Sequence, residues 1–179
     1  MSVPPSVGDV LGAAGACPEI AHQGKTWKIG YPTKAAKDRL EKLVVADAWA
    51  SVQAAFIGDP QHDAELKESY HESVRNREYR TGGKLWAKAF SRMDGQILFY
   101  LSLVQEHQPT ATSEDVITLM ADCPDEFMTA MELVTPRFFF VAAEAMGLPK
   151  DKQPAWAAAQ AEAFLKAIRA ARTQMTPSS

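Results

Sequence analysis

With 179 residues, of which 46% are hydrophobic, the chain can bury the core of one domain, and a second full domain is not expected. Its 19 basic and 22 acidic residues give a formal net charge of -3, which offers no excess positive charge to a nucleic acid backbone. No apolar run approaches the ~20 residues that cross a bilayer, and the start of the chain lacks the basic and apolar stretches of a signal peptide. We therefore expect a cytoplasmic protein with neither a nucleic acid nor a membrane partner.

The first 18 residues are rich in residues that break regular structure. Their prolines and glycines predict an extended arm over residues 1–18, with at most a short turn over 9–14. The glycines at 12 and 15 lack the preceding strand and the further fixed residues of a phosphate-binding loop. Cys17 and Cys123 fit neither a disulfide framework nor a zinc-ligand spacing, so both are predicted to be free thiols.

Residues 19–31 are predicted to form a β-hairpin around a turn at Gln23-Gly24. The run after the turn alternates polar and apolar side chains, which is the period of a half-buried strand. Pro32 ends this run because proline cannot donate to a strand ladder, and Thr33 is placed to cap a helix. The side chains predicted to face inward are Trp27, Ile29 and Tyr31.

A bundle of six or seven helices is predicted to follow the hairpin. The first, over residues 34–56, has apolar positions at spacings of three and four, with Trp49 flanking the apolar stripe. The second, over 61–77, is far more polar, and its thin apolar side consists of side chains spaced by four. The nearly continuous apolar run over 97–104 predicts a central helix that is buried on most sides. The thin apolar side of the second helix is formed by Leu66, Tyr70 and Val74.

Helix start signals recur in the second half of the chain. Thr112 with Asp115 forms a capping pattern, and Pro124 is placed to begin the next helix. Pro136 is predicted to interrupt that helix, since an interior proline removes a hydrogen bond. A last helix is predicted over about 155–172, before a flexible tail at 174–179. Its predicted apolar stripe is Trp156, Ala163, Phe164, Ala167, Ile168 and Ala171.

These elements predict a mainly α fold, a multi-helix bundle with a small N-terminal β-hairpin, as a single domain over residues 19–173. No internal repeat at a fixed period interrupts this pattern.

One pair of residues has a spacing that metal sites use. Glu68 and His71 lie three apart on one helical face, as in carboxylate-bridged di-iron bundles, but those sites need a second such pair and two more glutamates. Exposed charge pairs among Glu68, Glu72 and Arg75 are the favoured interpretation. A metalloenzyme that uses Glu68 and His71 stays open as a minor alternative.

Catalytic signatures are incomplete throughout the sequence. It has no Gly-x-Ser-x-Gly elbow and no cysteine in a family-type signature, and its four histidines lie in polar or turn-like contexts. We therefore predict no catalytic residue, no metal ligand and no cofactor, and expect that the protein is not an enzyme. The histidines are His22, His62, His71 and His107.

Three consecutive phenylalanines, Phe138 to Phe140, present a problem of geometry. Their rings point about 100° apart around a helix, so the three cannot enter one core face. Either two helices enclose the segment, which is the commoner outcome, or one ring faces out and marks a partner site or a subunit interface, so that a homo-oligomer is possible. The side chains predicted to bind a protein partner are Trp86, Phe90, Phe138, Phe139, Phe140 and Trp156.

Two segments carry a resemblance to a known family. The run GKTWKIGYPTKAAKDRLE at 24–41, a short strand that leads into a charged amphipathic helix, resembles the opening of the tail assembly chaperones of tailed bacteriophages and prophages. The stretch TSEDVITLM at 112–120, with CPDEF at 123–127, is similar to the helix pair that follows in such proteins. The likeness covers residues 20–146 loosely. The family has no invariant ligand residues, so it implies a role but no site residue.

The resemblance implies a protein that coats the tape measure protein in the bacterial host cytoplasm, prevents its aggregation and helps bring tail tube protein to it. No cofactor is implied. A structural subunit of the phage particle, such as a connector or a tail accessory protein, is the first alternative, and it would be found in the virion. A generic helical protein-binding domain is the second.

Overall fold

The computed structural model describes residues 17–90 and 92–175, so most of the predicted arm at 1–18 lies outside the described residues. The described part has a two-stranded antiparallel hairpin and seven α-helices, which confirms the predicted fold class. None of its helices has both the length and the apolarity needed to cross a membrane. In chain order the elements are β1 (Glu19–His22), β2 (Lys25–Lys28), α1 (Lys34–Ala54), α2 (Pro60–Arg75), α3 (Lys84–Phe90), α4 (Met93–Val104), α5 (Ser113–Asp122), α6 (Pro124–Ala145) and α7 (Gln153–Met175).

The hairpin forms around the predicted turn, although its second strand ends at Lys28 and not at Tyr31, and the chain after it packs on the end of α4. Gln23 and Gly24 have φ values of 49° and 73°, the left-handed pair that a two-residue hairpin turn requires. Trp27 is buried, as predicted. The Gly30 N–H donates to the Leu103 carbonyl oxygen at 3.0 Å, and a Cβ at Gly30 would lie 2.8 Å from that oxygen. Only glycine allows this close approach, which attaches the hairpin to the core.

Helix α4 is the centre of the bundle, as the apolar run predicted. Every residue from Gly95 to Val104 is buried. The ring centroid of Phe99 lies 4.6 Å from that of Phe138 on α6 and 5.4 Å from that of Phe164 on α7. Full burial of one such aromatic side chain contributes ~1.5–3 kcal/mol. The aromatic side chains of α4 therefore link α6 and α7 into one core.

The predicted helix starts are confirmed by their caps. The Thr33 hydroxyl accepts a hydrogen bond from the Ala36 N–H at 3.1 Å, and Thr112 with Asp115 forms a reciprocal capping box. Pro124 occupies the first turn of α6, where its missing N–H has no helical partner to lose. Local side-chain chemistry thus fixes where α1, α5 and α6 begin.

The predicted interruption at Pro136 is wrong, since α6 continues through this residue to Ala145. A proline inside a helix removes one hydrogen bond and costs about 3 kcal/mol. Val134 and Phe138, on either side of Pro136, are both buried, and burial of such side chains contributes ~1.5–3 kcal/mol each. Tertiary packing therefore offsets the local cost of the proline.

The apolar stripe predicted for α7 is partly wrong. Ala163 and Ala167 are exposed, while Phe164 and Ile168 are buried as expected. The apolar residues that α7 buries are spaced by four, three and four positions. Those in its first turns are small, which lets α6 and α7 approach closely. The helix also extends to Met175, into the range predicted as tail. The buried apolar positions are Ala157, Ala161, Phe164 and Ile168, and Gln153 in the first turn is buried as well.

Helices α1 and α2 form a helical hairpin of which only one part joins the core. The buried residues of α1 are Ala36, Leu40 and Val44, all in its first half. Arg39 ties this half to α4, donating to the Ser102 carbonyl oxygen at 2.6 Å. No residue of α2 is buried. The second half of α1 and the whole of α2 therefore add no fully buried residue to the core.

Candidate functional site

Four of the six aromatic residues predicted to bind a partner belong to the core or pack against it, namely Trp86, Phe90, Phe138 and Phe139. Trp86 and Phe138 are buried, and the other four are half-buried. Trp86 packs on Phe90 with their ring centroids 4.7 Å apart. The set therefore has no fully exposed member on which a partner could dock directly. The four half-buried residues are Phe90, Phe139, Phe140 and Trp156.

Phe138 and Phe139 pack against α4 and α7, whereas Phe140 is half-buried outside the described core, so the enclosure foreseen from the sequence holds for two of the three rings. Phe138 faces α4, and Phe139 faces α7, where its ring centroid lies 6.1 Å from that of Trp156 and 5.7 Å from that of Phe164. Partner binding by these residues stays a prediction. A more open apolar surface lies elsewhere on the molecule.

That surface is an open groove of about 660 Å³ between α1 and the C-terminal part of α2. The α1 side chains that line it are spaced by three and four residues, so they share one helical face. This face runs from Asp38 to Trp49, which is about 16 Å or three turns at the rise of an α-helix. The lining residues of α1 are Asp38, Glu41, Lys42, Val45, Ala46 and Trp49. The remainder are Tyr70, Val74, Arg77, Tyr79 and Arg80.

One end of the groove is apolar and aromatic. The ring centroids of Trp49 and Tyr70 lie 4.9 Å apart, and the Tyr70 hydroxyl donates to the Val45 carbonyl oxygen at 3.3 Å. Val74 is 38% exposed and Ala46 is also exposed, so apolar surface is open to solvent beside the rings. An apolar stripe of another helix could bury these groups.

The carboxylates at the other end of the groove are already paired. The Lys37 ammonium lies 3.1 Å from Asp38 Oδ1 and 3.0 Å from Glu41 Oε1. Glu41 Oε1 also accepts from the backbone N–H and the hydroxyl of Thr81, at 3.0 and 2.8 Å. Partial burial alone would raise the pKa of Glu41, but the hydrogen bonds from Thr81 and Lys37 outweigh burial and lower it. Glu41 is therefore a structural anion that fixes the loop after α2.

Three cations at the same end have no such partners. Lys42, Arg77 and Arg80 are exposed, and within the described part of the chain none of them lies within ion-pair distance of a carboxylate. The charged residues that line the groove are these three cations and the two carboxylates Asp38 and Glu41, an excess of one positive charge in a chain whose net charge is -3. The groove is thus apolar at one end and positive at the other.

Arg77 has a backbone conformation that favours glycine. Its φ is 58°, and it follows α2 in a turn where the Arg77 N–H donates to Val74 and the Glu78 N–H donates to Ser73. Helix α6 ends in the same hydrogen-bond pattern, with Gly147 at the matching position and φ of 72°. Arginine at this position costs conformational energy that glycine would avoid.

The Glu68 and His71 pair makes a charge contact and ring contacts. Glu68 Oε1 lies 2.5 Å from Arg75 Nη2, and Arg75 lowers the pKa of the Glu68 carboxyl. The His71 ring centroid lies 5.9 Å from that of Trp49. In the residues that the structure describes, no group of three or more His, Cys, Asp and Glu side chains could hold a metal ion.

A thiol, an imidazole and a carboxylate form a row that the sequence analysis missed. Cys123 Sγ lies 3.5 Å from His22 Nδ1, and His22 Nε2 lies 3.3 Å from Asp122 Oδ2. Burial raises the pKa of the Cys123 thiol, and the Glu126 and Asp122 carboxylates raise it further. A raised pKa keeps the thiol protonated and weakly nucleophilic near neutral pH. The row connects β1 to the junction of α5 and α6, and both cysteines are free thiols as predicted.

The groove was missed because its parts come from different helices. Trp49 was assigned to the flank of a stripe, and Tyr70 with Val74 to a thin packing face. The available signal was an apolar surplus on a polar helical hairpin.

The chain was compared with protein-family models, curated proteins and solved structures, and none of them matches it.

Proposed function

We propose that this chain is a tail assembly chaperone of a tailed bacteriophage or prophage, and that it holds a helical segment of the tape measure protein in the groove between α1 and α2. The observation that supports this proposal is the open apolar surface formed by Trp49 of α1 with Tyr70 and Val74 of α2. Amphipathic helices bind such grooves through apolar side chains at spacings of three and four. The resemblance of residues 24–41 to the family supplies the biological role.

The size of the groove suits weak and reversible binding. About three helical turns of a partner would place about three apolar side chains in it, each gaining ~1.5–3 kcal/mol on full burial. Association itself costs ~4–15 kcal/mol, so one segment would bind only weakly. Many copies along one long helical protein could keep it soluble, and each copy could still dissociate when the tail tube forms.

Blocking the groove tests the proposal. Ala46 is exposed in the groove, whereas Ala158 is exposed on α7 away from it, so Ala46→Glu and Ala158→Glu are a matched pair. Each variant is co-expressed with the tape measure protein, and the soluble fraction of that protein is measured. We expect Ala158→Glu to match the wild type and Ala46→Glu to leave the tape measure protein insoluble. Equal solubility with both variants would refute the groove as the binding site.

A second experiment separates the chaperone from the structural subunit of the particle. A chaperone is released when assembly ends, so we expect purified particles to contain none of this chain. Quantitative mass spectrometry of those particles measures it. A stoichiometric amount in the particle would contradict the chaperone role and favour the connector or tail accessory protein.

A further inference from the structure

We infer that the groove between α1 and α2 selects acidic partners, namely amphipathic helices whose apolar stripe is followed by carboxylates at one end. This inference rests on the proposed function for the location of the site, and it adds the chemistry of the partner. Two features of the molecule support it, the unlike ends of the groove and the positive φ of Arg77.

The groove's own carboxylates already have partners. Lys37 pairs with both Asp38 and Glu41, and Glu41 also accepts two hydrogen bonds from Thr81. Lys42, Arg77 and Arg80 remain as a positive group at the end of an apolar surface. A partner carboxylate there would meet unpaired cations, whereas a partner lysine would be repelled.

The contrast with the rest of the molecule strengthens this argument. The chain has a formal net charge of -3, so its surface does not attract anions in general. A local positive excess therefore confers selectivity on this one site. It also helps to orient the partner, because the apolar stripe is attracted to Trp49 and Tyr70 and the acidic end to Arg77 and Arg80.

The backbone of Arg77 supplies an independent reason. Gly147 occupies the matching position at the end of α6, where glycine avoids conformational strain. Arg77 has the strained conformation, and its guanidinium lines the groove. Strained positions are concentrated at functional sites, where the side chain has a role that offsets the cost. A partner carboxylate gives the Arg77 guanidinium such a role.

Three designed peptides of about 18 residues, five helical turns, provide the probes. The first has a leucine stripe followed by glutamates, the second has the same stripe followed by lysines, and the third is the acidic peptide scrambled to remove the stripe. Binding to the full chain is measured by fluorescence anisotropy at low and at high salt. We expect the acidic striped peptide to bind about tenfold more tightly than the basic one, as three exposed ion pairs would give, and to lose this advantage at high salt.

Variants assign the preference to the groove. The triple variant Lys42→Gln, Arg77→Gly, Arg80→Gln should bind both striped peptides equally. Arg77→Gly alone should lower the affinity for the acidic peptide about two- to threefold, which is the effect of losing one exposed ion pair. It should not lower the melting temperature of the protein. Gln23→Gly is the matched control, because Gln23 also has a positive φ of 49° but lies in the hairpin turn. It should leave the binding of both peptides unchanged.

The outcomes separate the inference from the proposed function. Equal affinity for the two striped peptides, or an unchanged preference in the triple variant, overturns the charge selection and leaves helix binding intact. Binding of the scrambled peptide as tightly as the striped one overturns the inference as well, because charge alone would then suffice. Failure of both striped peptides to bind removes the groove as a helix site and takes both proposals with it.

Discussion

Gly147 and Arg77 each follow the end of a helix, and both have a positive φ angle. Gly147 follows α6 with φ of 72°, and a Cβ placed on it would meet nothing within 4 Å. Its glycine is therefore needed for backbone conformation and not for space. Arg77 has the same backbone conformation after α2 but carries a side chain. Comparing the two positions therefore distinguishes the energetic preference for glycine from the contribution of the arginine side chain.

Gly147→Ala should destabilise the protein by about 1 kcal/mol, the usual cost of placing a Cβ in the left-handed region. Urea denaturation measures the change in the free energy of unfolding. Arg77→Gly serves as the reverse substitution and should leave that free energy unchanged or slightly higher. If Gly147→Ala were neutral, the turn after α6 would not have the conformation described.

Glu41 gives the groove a pH dependence whose sign follows from its partners. Its pKa is lowered in the folded state from the ordinary value of 4.5, so its contribution to stability is present above that pH and is lost as the pH falls through the folded pKa. Glu41→Gln should cost about 1 kcal/mol near pH 7, where the charge-assisted hydrogen bonds from Lys37 and Thr81 weaken.

Urea denaturation near pH 7 and near pH 3 checks this expectation, because the difference between the wild type and Glu41→Gln should shrink at the lower pH. Lys37 behaves oppositely, since its pKa is raised and its contribution is lost only as the pH rises through that value. A difference that stayed constant across acid pH would show that Glu41 does not carry the charge interaction.

Among the elements, α6 continues through a proline that the sequence predicts to interrupt it. Pro136 has no N–H to donate, yet the helix runs unbroken on both sides of it. Replacing it with alanine restores a donor that can complete the helix ladder, and we expect Pro136→Ala to raise the free energy of unfolding by about 1 kcal/mol or more. Thermal and urea denaturation measure this change. A loss of stability would mean that the core is shaped around the proline ring.

Local signals in the sequence predicted the starts of the elements well. Thr33, Thr112 and Pro124 begin helices because their side chains act on the nearest backbone groups, which a reader of the sequence can see. The continuation of α6 through Pro136 depended on burial against other helices. The stripe of α7 was misread for the same reason, because the choice between Ala161 and Ala163 depends on the position of α6.

The candidate site was predictable only in pieces. The faces that contain Trp49 and Tyr70 follow from helical periodicity, but their adjacency depends on how α1 and α2 fold back on each other. The contact between His22 and Cys123 joins residues 101 positions apart, and no spacing rule could indicate it. Residues that meet through tertiary structure leave little trace in one sequence.

At the scale of the whole molecule, stability is distributed unevenly. Residues 95–104 of α4 are buried throughout, whereas α2 has no buried residue, and Ile57 in the loop before α2 is 75% exposed. Segments with few buried contacts open at low free energy, and central ones open only with global unfolding. Hydrogen exchange followed by mass spectrometry should therefore show fast exchange across α2 and the slowest exchange in α4. Equal protection in the two helices would contradict this division.

Because no residue of α2 is fully buried, we expect that one wall of the groove can move while the other stays fixed to the core through Arg39 and Leu40. A bound helix could then leave by an outward swing of that wall, with no loss of the central packing. Holding and release would draw on separate parts of the molecule, so the lifetime of the complex could be adjusted by substitutions in α2 that leave the rest of the fold unaltered.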